Sequence, residues 1–353
     1  MTSNTSRNLR ALGIALSSSL AMVATTTAEA SEPNIKPFGF TQFTGTFGSK
    51  TVQKNYNFDR VRFGVKGSID ENISYFLQLE LNNPTTTPNS NTSGNLIQDA
   101  KISYTFLPEL KLSVGQFKAP FSMEYNTAAS NLDVINYGMV GNVIPNRGIG
   151  LMVSGKNIAG TGLGYDMGMF NAGARGDTVA YTSSKLGKDE LFSGRITLDT
   201  LNDMVHVEAG QMLETNSANT AAKGNYAAIY AAAHLDFDVA SVKAEWMQGK
   251  QFSRKTTVYY TQLLLPLSEQ IDFVTKWEQT FYKDAPAVKN LKANNAIFGF
   301  NAAIYPENPA RARMQFNYVI ATKDANQLNG STLAGFKKGY ADRQAKLLLQ
   351  VGF

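Results

Sequence analysis

Basic side chains recur at two-residue spacing in the segment that carries Arg60, Arg62 and Lys66, and a second pair, Arg311 and Arg313, repeats the spacing near the other end of the chain. Period-two placement puts such residues on one face of a strand. Fixed guanidinium and ammonium groups in a row do one kind of chemistry well: they lower the electrostatic energy of an anion in the water beside them. Covalent chemistry has few candidates. The chain has no cysteine and two histidines, His206 and His234, neither in a recognisable catalytic motif. Thiol catalysis and cysteine zinc sites are excluded, an enzyme is not expected, and no metal or cofactor site is read.

A row of cations needs a strand with one wet face and one apolar face. In the second candidate strand Val61, Phe63 and Val65 alternate with Arg60, Arg62, Gly64 and Lys66. In the fifteenth, Ala312, Met314, Phe316, Tyr318 and Ile320 alternate with Arg311, Arg313, Gln315 and Asn317, and Lys323 extends the polar phase. Were the apolar face in lipid, a charge there would cost about 2–4 kcal/mol near the midplane, so the phase of each strand is physically constrained. Sixteen period-two segments run from 38–48 to 340–353, an even number, as in single-chain outer-membrane barrels. Short connections such as Asp70-Glu71-Asn72 and Leu107-Pro108-Glu109 alternate with longer polar ones at 83–96, 172–189, 214–224, 282–292 and 324–339. A β-sandwich or propeller accounts for neither that alternation nor a final strand ending on an aromatic, Ala345 to Phe353, interrupted only by Leu348. The expected fold is all-β: a 16-stranded antiparallel transmembrane β-barrel whose last strand zips to its first.

The N-terminus fits export. Arg7 and Arg10 precede a short apolar stretch, Leu12 to Ala24, and Ala28-Glu29-Ala30 is a small-x-small cleavage site, so residues 1–30 read as a signal peptide and 31–353 as the barrel. The expected location is the Gram-negative outer membrane, in contact with its lipid, and nucleic acid is not an expected partner. One connection departs from the size pattern. Residues 118–146 form the longest and most apolar of them, with Phe121, Met123, Tyr125, Leu132, Val134, Ile135, Met139, Val140 and Val143. An exposed loop does not carry that load, so it is expected to fold into the lumen and narrow it, with Lys118, Glu124, Asp133 and Arg147 at the constriction. A latch onto a neighbouring barrel is the alternative.

The polar phases also carry acids: Glu80, Asp99, Asp166, Asp199, Glu208, Glu245, Asp272, Glu278 and Asp342. They are scattered singly, whereas bases concentrate on strands two and fifteen, which closure would bring within three spacings. Two readings stay open: charges paired around the wall, or a basic column along one side of it. Phe38, Phe40, Tyr104, Phe106, Trp246, Trp277, Tyr305 and Phe353 lie toward strand ends, as aromatic belts at the two membrane interfaces do.

Four segments occur in order: Arg60-Val-Arg-Phe-Gly-Val-Lys-Gly67, Asp99-Ala-Lys-Ile-Ser-Tyr104, Val114-Gly-Gln-Phe-Lys-Ala-Pro-Phe-Ser122 and Arg147-Gly-Ile-Gly-Leu-Met-Val-Ser-Gly155. The series resembles the phosphate-selective porin O and P family. That resemblance implies a homotrimer of sixteen-stranded barrels and a passive channel for small anionic solutes, phosphate among them. Separately, Phe353 matches the terminal aromatic of outer-membrane assembly signals, so the assembly machinery is an expected partner. The resemblance also implies an anion site at Arg60, Asp99 and Lys118, continued by Arg62 and Lys66. Where the family pattern has two adjacent arginines this chain has Asp59-Arg60. A structural or adhesin barrel with ligand-binding outer loops is the alternative function.

Overall fold

The structure is a computed structural model, and it describes residues 33–48, 54–82, 96–145, 147–171, 190–215, 225–251, 254–283, 291–321, 340 and 342–353. The leader at 1–30, most of the long outer loops and Lys323 lie outside the described residues.

Sixteen strands form one closed antiparallel barrel in sequence order. They are β1 (Asn34–Gly48), β2 (Asn55–Ser68), β3 (Ile73–Glu80), β4 (Ile97–Leu107), β5 (Leu110–Lys118), β6 (Arg147–Gly155), β7 (Leu163–Asn171) and β8 (Glu190–Thr200). The second half comprises β9 (Val205–Glu214), β10 (Tyr226–Phe237), β11 (Ala240–Gln251), β12 (Arg254–Pro266), β13 (Ile271–Lys283), β14 (Leu291–Ala303), β15 (Ala312–Ala321) and β16 (Gln344–Gly352). The seam pairs β1 with β16 from Phe40 opposite Gly352 to Gly48 opposite Gln344. Gly39 and Phe353 exchange both backbone hydrogen bonds, at 3.2 and 3.0 Å, so the terminal aromatic completes the seam. Closure leaves no open strand edge, which is what permits strands to stand in hydrocarbon.

The alternation read from sequence holds in three dimensions. On β15, Met314, Phe316, Tyr318 and Ile320 are exposed on the outer wall, whereas Arg313, Gln315 and Asn317 are buried inside. Leu348, the residue that breaks the period of β16, is buried on the lumen side. Apolar residues are tolerated there because the lumen is filled. Residues 119–145 fold inward, through a one-turn helix α1 (Met123–Asn126) and short three-ten turns, and bury Phe121, Met139 and Val143 completely. They join Phe117, Phe170, Tyr226, Tyr230, Met247 and Val258 of the inner wall in one apolar cluster. Full burial of each large side chain contributes about 1.5–3 kcal/mol, enough to hold the loop inside.

Two of the belt aromatics are corrected. Phe38 and Phe40 share the lumen phase of β1 with Gln42 and Thr44, and Phe40 is buried. Their segment, Phe38-Gly-Phe-Thr-Gln-Phe43, mixes ring and polar residues on both phases, so the pattern could not fix the register locally. Each ring carries a base of β2: Arg62 lies 5.6 Å from the Phe40 centroid and Lys66 5.6 Å from that of Phe38. Tyr104, Phe106, Trp246, Trp277, Tyr305 and Phe353 are exposed, as a belt requires. Arg311 sits in the turn before β15, exposed and stacked 4.7 Å above Tyr305, outside the strand row expected for it.

Candidate functional site

The bases expected to act together converge where the inserted loop faces β1 to β6, but they are not equivalent. Arg62 is neutralised: its Nε lies 2.8 Å from Glu80 Oε2, and the other Glu80 oxygen accepts the Val61 N–H. Arg147 makes a two-pronged pair with Asp99, at 3.1 and 3.0 Å. Such planar bidentate pairs are among the strongest charge-assisted contacts, so both guanidinium groups are compensated in place.

Arg60 and Lys118 have no carboxylate within ion-pair distance among the described residues. Arg60 donates to Gln42 Oε1 at 2.6 Å and stands 5.8 Å from the Tyr137 ring. Gln42 in turn donates to Gln350 across the seam and to Ala129 O of the loop, so the strand closure itself positions Arg60. Lys118 points into the loop, donating to the carbonyl of Tyr125, to Thr127 O at 3.1 Å and to Tyr137 Oη at 3.1 Å. It also lies over the rings of Tyr125 and Tyr137, at 4.8 and 5.2 Å. Burial pushes Tyr125 up to about 12 and raises Tyr137 as well, so both phenols stay neutral. Tyr137 therefore donates to Thr127 O, at 2.8 Å, while accepting from Lys118.

Asp59, the acid standing where the family pattern has a base, sits at a bulge: Gln42 pairs with Arg60 and Phe43 with Phe58, leaving Asp59 between them. It accepts from Thr44 at 2.8 Å, from Asn57 at 3.2 Å and from Asn136 of the loop at 3.5 Å. It is thus a tether for the loop rather than a partner of Arg60.

Further cations share this side, and two of them were missed in sequence. Lys101 of β4 lies 5.6 Å from the Phe117 ring, and Lys346 of β16 lies 5.6 Å from that of Tyr340. Both fall on the polar phase of their strands, the signal that could have found them. Arg313 is 7 % exposed, and its Nε and Nη2 have no hydrogen-bond partner among the described residues. From β15 through the seam to β6, cations sit on rings or carbonyl groups more often than on carboxylates.

The opposite wall is acidic, and its arginine and lumen lysines are held by carboxylates. Arg195 bridges Asp166 at 2.7 Å and Glu208 at 3.0 Å. His206 stands between Asp199 and Glu208, at 2.6 and 3.2 Å, and His234 is 2.8 Å from Ser241 Oγ. Asp166, Arg195, Asp199, His206 and Glu208 line a cavity of about 320 Å³ toward the short-turn end, with Lys156 and Thr197. Above it the loop is latched. Lys276, 1 % exposed, donates to both oxygens of Glu124 at 2.8 Å and lies 3.5 Å from Glu278. Glu278 also accepts the Met139 N–H at 3.0 Å, and Glu245 accepts those of Met123 and Glu124. Gly138 makes the latch possible, because any Cβ there would collide with the Glu278 carboxylate and Lys276 Nζ. Asp133 adds a second anchor through Lys243 at 2.7 Å and Gln262 at 2.6 Å.

Comparison with known proteins fits this architecture. Residues 38–258 match the family model described as phosphate-selective porin O and P. No curated protein matches the chain. Among solved structures, an anion-selective porin from Comamonas acidovorans is 14 % identical, with TM-score 0.62, 91 % of this chain and 100 % of that one covered. Salmonella typhi OmpF in complex with daunomycin is 12 % identical, with TM-score 0.65 and coverages of 91 % and 98 %. The outer-membrane channel DcaP of Acinetobacter baumannii is 12 % identical, with TM-score 0.58 and coverages of 93 % and 99 %. At these identities the three likenesses establish the fold alone.

Proposed function

The chain belongs to the phosphate-selective porin O and P family and is an outer-membrane porin, and from that premise we propose that it passes small anions passively, by field rather than by a saturable phosphate site. The observation that carries this reading is the sorting of lumen charges. Among the described residues, cations without carboxylate partners (Arg60, Lys66, Lys101, Lys118, Lys346 and Arg313) gather on the arc from β15 through β16 and β1 to β5, where Glu80 and Asp99 are taken up by Arg62 and Arg147, while on β7–β13 Arg195, Lys243 and Lys276 are each matched by carboxylates. An ion passing between the loop and the basic arc meets uncompensated positive charge in a constriction walled by low-dielectric side chains, where each charge counts for more than in open water.

The same geometry argues against a tight phosphate trap. A lysine has three N–H donors, and Lys118 uses all three on the loop. Arg62 and Arg147 are already engaged by Glu80 and Asp99. Arg60 has N–H groups without an acceptor among the described residues, too few to strip the hydration from a phosphate dianion. Solutes are therefore selected by size at the inserted loop and by sign along Arg60 and Lys118. Arg62, Lys66, Asp99, Arg147 and Arg313 shape the field around them. The assembled form in this reading is a homotrimer, one pore per barrel, and the 1–30 leader directs export. An adhesin role would rest on the long outer loops, which lie outside the described residues.

Planar-bilayer recording tests this. Stepwise conductance with a reversal potential favouring chloride over potassium is expected, and the absence of conductance refutes the channel reading. Adding phosphate to the chloride bath is expected to leave the current unchanged at micromolar levels. Block there refutes the field-only mechanism and assigns a true phosphate site.

A further inference from the structure

On the outside of the barrel, at the end away from the short turns, four adjacent strands each carry a lysine on the lipid-facing phase. Lys250 of β11 shares its phase with exposed Trp246, and Lys255 of β12 shares its phase with Tyr259. Lys283 of β13 follows Trp277 and Phe281, and Lys292 of β14 precedes Phe298 and Phe300 on the same phase. All four are exposed. The ladder sets Lys250 directly opposite Lys255, and Lys255 directly opposite Lys283. Like charges in facing positions destabilise a sheet, so this arrangement calls for an anion outside the protein. Among the described residues none of the four is in an ion pair with a carboxylate.

Below the lysines lies a ring cluster, with Tyr259 5.2 Å from Trp277 and 6.0 Å from Phe281, and Lys292 Nζ 5.5 Å over the Phe281 ring. Aromatic girdles mark headgroup level, which puts the lysines at the height of outer-leaflet headgroups. A second observation sits among the rings. Gln279, on the same outer phase, is 2 % exposed, and its Nε2 has no acceptor among the described residues. The rim is not uniform: on the far side, Leu81 and Ile97 are exposed at the outer ends of β3 and β4.

We infer that the outer face of β11–β14 is a binding surface for a lipid bearing phosphate groups on its headgroup, with Lys250, Lys255, Lys283 and Lys292 as phosphate contacts, the aromatic rings as the acyl-chain floor and the Gln279 amide as a donor at their junction. A soluble anion is the poorer fit, because the lysines stand outside the pore and above a hydrophobic band. Each lysine near an anionic leaflet adds a comparable increment of attraction, so four on adjacent strands make a strong site.

The test uses the full-length mature protein folded into phosphatidylcholine vesicles, with or without bisphosphorylated lipid A, and reads the midpoint temperature of the heat-dependent gel shift. The wild type is expected to gain a higher midpoint with lipid A, and K250Q/K255Q/K283Q/K292Q to lose that gain. In phosphatidylcholine alone the variant should match or exceed the wild type, since the facing like charges are gone. Affinity for labelled lipid A should fall at least about tenfold in the variant. The inference is overturned by a gain that survives in the variant, by no gain in the wild type, by a variant less stable in phosphatidylcholine alone, or by the same gain from inorganic phosphate added to lipid-A-free vesicles. An unchanged reversal potential in the variant keeps this outcome separate from the channel reading.

Discussion

Two arcs of one wall face the same inserted loop and treat charge in opposite ways. Among the described residues, the lysines and the arginine that face the lumen from β7–β13 are matched: Arg195 by Asp166 and Glu208, Lys243 by Asp133, and Lys276 by Glu124 and Glu278. On the arc from β15 through the seam to β6, Arg62 and Arg147 are matched, while Arg60, Lys66, Lys101, Lys118 and Lys346 lean on aromatic rings or carbonyl groups instead. An aromatic face holds a cation without cancelling its charge, whereas a carboxylate cancels it. The first arc therefore serves as anchorage for the loop, and the second keeps its field available to the lumen.

The largest effect is expected from breaking the anchorage. Lys276→Met leaves Glu124 and Glu278 buried without their cation, and removing one partner of a buried pair costs about 3–5 kcal/mol. The midpoint of the heat-dependent gel shift should drop, and single-channel conductance should rise as the loop loosens. An unchanged conductance would mean that the apolar cluster alone holds the loop. Gly138→Leu should act in the same direction through its collision with Glu278 and Lys276.

Next comes the field. Arg60→Glu with Lys118→Glu should move the reversal potential toward cations, whereas Asp166→Asn with Glu208→Gln on the other arc should move it far less. Equal shifts from the two pairs would erase the distinction between the arcs. A smaller effect in the opposite direction is expected for Glu80→Gln or Asp99→Asn, each of which releases one arginine and should raise the chloride-to-potassium permeability ratio. Smallest should be the response to salt for the loop anchorage. Raising ionic strength from about 0.1 to 1 M shortens the screening length from about 10 to 3 Å. Selectivity should fall over that range while the unfolding midpoint, set by buried pairs, stays nearly constant.

Much of the architecture was legible in the chain. The strand phases of β2 and β15, the even count and the seam at Phe353 all follow from period-two patterning, and Leu348 was visible as an anomaly. The inward loop was legible too, because its apolar load had nowhere else to go. Phe38 and Phe40 were misread because their segment mixes ring and polar residues on both phases, and only pairing with β2 and β16 fixes which face looks inward. Arg311 was read into a strand that begins one residue later.

The sequence by itself determined that this chain closes into a barrel, since alternation of side chains is a local property and closure is its consequence in lipid. It also determined that bases line the lumen. Only the tertiary structure decided which of those bases act. The partner of Arg62 lies 18 residues away, that of Arg147 48 residues away and that of Lys276 152 residues away. A charge is cancelled by whatever carboxylate comes within about 4 Å, and that proximity is set by register and by the path of the loop, neither of which is written in the spacing of the bases themselves.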